Sequence, residues 1–108
     1  MEPERFNQLL SSETDRVEWK QSPRDGDGIL EAVCALANDL GASGVPGYVL
    51  VGVRKDGEVL GLGDMTPDEA QQRIAGRIHD ITLQPTPSVA ISTTEPKPGA
   101  HVLIVEVM

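Results

Sequence analysis

The run Tyr48-Val49-Leu50-Val51-Gly52-Val53 is apolar at successive positions, so a strand built from it carries hydrophobic side chains on both faces. Such a strand belongs at the buried centre of a sheet, and the rest of the chain must supply its neighbours and its cover. On the N-terminal side, Ile29, Leu30, Val33, Leu36, Ala37 and Leu40 recur at helical spacing and predict a helix ending at Gly41. On the C-terminal side, Asp56-Gly57 favours a tight turn, which predicts that Glu58 to Leu60 pairs antiparallel with the central strand.

The remaining elements follow from the same kinds of signal. Pro3 to Leu10 predicts a short leading helix docked through Phe6, Leu9 and Leu10. Val17-Glu18-Trp19-Lys20 alternates as a strand, with Val17 and Trp19 on one face and Glu18 and Lys20 on the other. Pro23 to Gly28 is a loop by composition. Thr66-Pro67-Asp68-Glu69 opens a helix with a Thr cap, Pro at the first position and Glu able to bond back to the cap; Ala70, Ile74, Ile78 and Ile81 form its apolar stripe. After Gln84 to Pro87, the runs Val89 to Thr93 and His101 to Val107 make a terminal hairpin across Glu95 to Gly99. The expected class is α/β of the α+β type: a mixed, partly antiparallel sheet of about five strands, two main helices and a short N-terminal helix.

At 108 residues and 39% apolar composition, residues 1–108 make one small domain with one modest core. The lone Cys34 excludes an intramolecular disulfide framework and a multi-cysteine zinc site, and is read as a small apolar residue of a cytoplasmic protein. No apolar run approaches the roughly 18 residues that span a bilayer, so no membrane partner is expected. Seventeen acidic residues against nine basic ones leave a net charge of −8, which argues against tight, non-specific attraction to nucleic acid. The chain stops directly after an apolar strand, and is read as the N-terminal part of a longer protein with a C-terminal domain to follow.

Several residues carry chemistry. Glu18 and Lys20 share a strand face, and Glu13 lies on the preceding loop; carboxylates of this kind could hold a divalent ion beside a phosphodiester, whereas the bland alternative is a surface salt pair. Arg16, Lys20, Arg24, Arg54 and Lys55 are five of the nine cations, and make a local positive patch if they converge, or ordinary solvated surface if they do not. With one Trp, one Tyr and one Phe, contact with a phosphate backbone is more plausible than an aromatic stacking platform. No G-x-x-x-x-G-K-[ST] occurs, so Gly57, Gly61 and Gly63 read as turn glycines. His79 and His101 have no second ligand at metal spacing, and Asn38 reads as a helix cap.

Taken in order, Glu13-Thr14-Asp15-Arg16-Val17-Glu18-Trp19-Lys20, Ala35-Leu36-Ala37-Asn38, Gly47 to Val53 and Asp56-Gly57-Glu58-Val59-Leu60-Gly61 resemble the Schlafen AlbA-like domain, once labelled a divergent AAA region. The resemblance runs from about Glu13 to Val107, with Trp19 in place of the usual Phe, an insertion from Asp39 to Pro46, and Arg54-Lys55 where acidic residues usually follow Gly-Val. It implies a DNA-binding module of a bacterial-type transcriptional regulator; with Arg54-Lys55 in place of acidic residues and a net charge of −8, the expectation is no catalysis or cofactor and weak contact with DNA or RNA through Arg16, Lys20, Arg24, Arg54 and Lys55. It also implies an alternative, a metal-dependent ribonuclease with Glu13, Glu18 and Asp56 holding Mg²⁺ or Mn²⁺ and Lys20 polarising the phosphate. A third alternative is a homodimer or other interaction module, paired through the last strand at a sheet edge.

Overall fold

The computed structural model describes residues 2–11, 14, 16–80 and 88–108, except for the side chains of 39–43 and 80. Its elements are α1 (Pro3–Leu9), β1 (Val17–Lys20), α2 (Gly26–Ser43), β2 (Gly47–Val51), α3 (Pro67–Asp80), β3 (Val89–Lys97) and β4 (Ala100–Val107). The sheet order is β1-β2-β4-β3. β1 and β2 run parallel, joined by the crossover that α2 supplies, and the β2–β4 and β4–β3 pairs are antiparallel. The mixed α+β class is therefore as expected, with β2 in the interior and buried at every residue.

Residues of β2 alternate between two cores, one on each face of the sheet, rather than the single core expected, because α1 covers the face opposite α2 and α3. Val49 and Val51 join Leu103, Val105 and Val107 of β4 beneath Ile29, Val33 and Leu36 of α2 and Ala70, Ile74 and Ile78 of α3. Tyr48 and Leu50 join Val17, Trp19, Val102 and Ile104 beneath Phe6 and Leu9 of α1. Fully buried side chains such as Ile29, Leu50 and Ile74 each contribute about 1.5–3 kcal/mol relative to exposure. Among the described residues no helix is long and apolar enough to cross a membrane.

Four details differ from the expectations. α2 begins at Gly26 rather than Ile29, because the Asp25 carboxylate caps it: Gly28 N–H donates to Asp25 Oδ1 at 3.2 Å, and a Cβ on Gly28 would lie 2.3 Å from that carboxylate. α2 also runs past Gly41 to Ser43, absorbing much of the inserted segment, so the exposed Asn38 lies within the helix and does not cap it. The fifth strand reduces to a single antiparallel bridge, Val53 to Val59. Finally, the last strand is not at a sheet edge: β4 is paired on both sides, and the edges are β1 and β3. The dimer alternative thus loses its strand, and β3 is itself partly covered where Gln71 Nε2 of α3 donates to Ile91 O at 3.0 Å.

The α3 cap forms as expected, with Glu69 N–H donating to Thr66 Oγ1 at 3.1 Å. Glu69 reaches back to the cap hydroxyl, which donates to its Oε1 at 3.1 Å. Ile81 and the segment Gln84 to Pro87 lie outside the described residues. The terminal hairpin closes across Pro98-Gly99, with an irregularity between Thr94 and Lys97.

Candidate functional site

Parallel pairing ends β1 and β2 at the same edge of the sheet, with Lys20 opposite Val51. There the Lys20 carbonyl accepts from Gly52 N–H at 2.7 Å and from Val53 N–H at 3.0 Å. Gly52 has φ +106°, and a Cβ on it would lie 2.8 Å from Gly61 O and 3.1 Å from His101 O. Only glycine fits this crowded left-handed position, which turns the chain out of the sheet into the 54–58 hairpin. The hairpin closes through Arg54 N–H to Glu58 O and Gly57 N–H to Arg54 O, both 2.8 Å. Gly57, at φ +88°, rests over the Trp19 ring, where a Cβ would sit 3.4 Å from the indole.

This folding brings Lys20 and Lys55, 35 positions apart in the sequence, to one depression of about 260 Å³ that Trp19, Gln21, Ser22 and Asp25 also line. Asp25 there is committed to the α2 cap. Among the described residues neither lysine is in an ion pair, and no ion pair joins Lys20 to Glu18, contrary to the salt-pair alternative. Gln21 and Ser22 continue into a second depression of about 320 Å³, shared with Pro23, Arg24, Leu60, Leu62 and Asp64. Arg24 NH2 donates to Asp64 Oδ1 at 2.9 Å across it. That bond raises the Arg24 pKa and lowers that of Asp64.

Arg54 is held on the hairpin, donating to Asp56 Oδ1 at 3.1 Å and Oδ2 at 2.6 Å and pairing also with Glu58. The guanidinium, with help from Glu58 N–H, holds the Asp56 carboxyl down from its ordinary 3.8 to about 2. The same contacts raise the Arg54 pKa.

Of the five cations singled out in the sequence, Lys20, Lys55 and Arg24 therefore share one face, and Arg54 adjoins it with its charge already met by carboxylates. Arg16 does not join them: it precedes β1, at the other end of that strand, and its guanidinium donates to Val45 O. Glu18 is half-buried on the strand face opposite Trp19, Asp56 is engaged by Arg54, and Glu13 lies outside the described residues. Among the described residues, no three His, Cys, Asp or Glu side chains gather to hold a metal. His79 is exposed late in α3, His101 Nε2 lies 3.1 Å from Glu95 Oε2, and Cys34 is half-buried. Sequence reasoning missed Asp25 and Asp64. An Asp-Gly-Asp run directly before a helical pattern is a capping signal that points to Asp25, whereas Asp64 is joined to Arg24 only by the fold.

Comparison with curated proteins finds no match. Among solved structures, the chain is similar to the N-terminal domain of an ATP-dependent DNA helicase RecG-related protein from Nitrosomonas europaea, with TM-score 0.58 and 26% identity. That match covers 93% of this chain and 70% of the other. It is also similar in fold to the DIP2311 protein from Corynebacterium diphtheriae, with TM-score 0.52 and 20% identity, over 96% of this chain and 25% of that one. The family described as Schlafen, AlbA_2 matches residues 13–108, and with the ordered motifs falling on β1, α2, β2 and the 54–61 turn, the chain belongs to that family.

Proposed function

We propose that the chain is a nucleic-acid-binding module, serving a bacterial-type DNA regulator, that contacts the phosphate backbone at the C-terminal ends of β1 and β2. The observation that carries this is the meeting of Lys20 and Lys55 in one depression, neither in an ion pair among the described residues, beside Arg24. Two ammonium groups delivered by separate segments form a local positive field that a net charge of −8 does not abolish at contact distance. Support also comes from the family and from a similar domain whose name relates it to a DNA helicase. Binding is weak, because few phosphates are neutralised and distant acidic residues oppose approach, and it falls with salt in proportion to those few contacts. Titrating the purified chain against labelled duplex and single-stranded DNA and RNA over a salt series tests the proposal. Binding at low salt that fades as salt rises supports it, and no binding at low salt refutes it.

A further inference from the structure

The second depression sets the apolar Leu60 and Leu62 beside the Arg24 cation. Pro23, Leu60, Gly61, Leu62 and Gly63 line it together with the polar Gln21 and Ser22, and the paired Arg24 and Asp64 complete the lining. Leu60 is 44% exposed, one of three large hydrophobic residues left exposed among the described ones, while Leu62 beside it is buried. Leu60 is also held at the backbone, where its N–H donates to Gly52 O at 2.7 Å. Both partners of the ion pair are well exposed, at 59% and 81% of their side chains, so Asp64 is a weakly held occupant of the guanidinium.

A cation beside an exposed apolar surface in a depression of about 320 Å³ matches one nucleotide unit, which has an anionic phosphate and a base with an apolar face. We propose that this depression takes one splayed-out nucleotide of a single strand, with its phosphate on Arg24 in place of the Asp64 carboxylate and its base over Leu60. The proposal rests on the nucleic-acid function above and narrows it. A duplex keeps its bases stacked and paired, and so offers Leu60 nothing; a single strand can turn one out. Gln21 and Ser22 line both depressions, so the next phosphate along the strand falls beside Lys20 and Lys55.

The test compares a short labelled oligothymidine strand with a duplex of the same length, bound by the whole chain at low salt. The single strand binds more tightly than the duplex. Leu60→Ser loses about fivefold in single-strand affinity, the equivalent of about 1 kcal/mol of apolar contact, and leaves duplex affinity unchanged. Leu60→Tyr, which supplies a stacking face at an exposed position, gains about tenfold for the single strand alone. Asp64→Asn raises single-strand affinity by up to about fivefold, because the phosphate no longer displaces a carboxylate. Equal affinity for single strand and duplex, with both Leu60 variants unchanged, overturns the nucleotide site while leaving backbone binding intact. An unchanged Asp64→Asn contradicts the exchange at Arg24. A wild-type chain that binds neither probe refutes the broader function and this site with it.

Discussion

The Trp19 indole Nε1 donates to the Leu9 carbonyl at 3.1 Å, tying the end of α1 to the strand that carries Lys20. The same ring supports Gly57 on the hairpin that carries Lys55, so one side chain joins the leading helix to both parts of the lysine depression. Trp19→Phe keeps an aromatic ring and removes the donor, leaving the Leu9 carbonyl to lose its indole partner at a buried position. We expect a loss of about 1–2 kcal/mol in urea unfolding, and faster hydrogen exchange at the Phe6 and Leu10 amides, which bond to Glu2 O and Phe6 O. Unchanged exchange in α1 would show that the bond does not hold the helix.

Gly52 turns β2 into the hairpin in a space closed by two carbonyls. Gly52→Ala meets an unfavourable backbone conformation costing about 1–3 kcal/mol, and adds a contact of 2.8 Å with Gly61 O that the sheet must relieve. Chemical denaturation should place this variant well below the wild type. Gly63 also has a positive φ, but a Cβ there would meet no heavy atom within 4 Å, so it should tolerate Ala with only the conformational part of that loss.

The Asp56 carboxyl titrates near 2 rather than at its ordinary 3.8, because Arg54 and the Glu58 N–H favour its charged form. With the folded value below the unfolded one, the contribution of this group is fully present above about pH 4 and is lost as pH falls through about 2. Carboxyl-carbon NMR titration should give a midpoint near 2 in the wild type and a higher one in Arg54→Gln. A wild-type midpoint at the ordinary value would mean that the ion pair does not persist in solution.

The double-faced apolarity of Tyr48 to Val53 was enough to place β2 inside the sheet, and Val17-Glu18-Trp19-Lys20 alternated as it does in the fold. The fifth strand was not legible, because the turn at Gly52 lifts the chain from the ladder and leaves only the Val53–Val59 bridge. The site was half legible. Lys20 and Lys55 stand on segments that parallel pairing ends at one edge, but strand direction sends Arg16 to the opposite end, only four residues from Lys20. Nor does local sequence reveal that Arg24 meets Asp64, 40 residues away, so the cations that remain outside ion pairs at this face emerge only from the tertiary structure.

The most direct test of backbone contact by Lys20 and Lys55 is the salt dependence of duplex binding, measured for the wild type and for the double variant Lys20→Gln, Lys55→Gln. Each phosphate contact contributes about 0.9 to the slope of log affinity against log salt, so the double variant should bind more weakly at low salt with a slope shallower by about 1.8. A folded double variant that binds with the same affinity and the same slope as the wild type would contradict the assignment of this face.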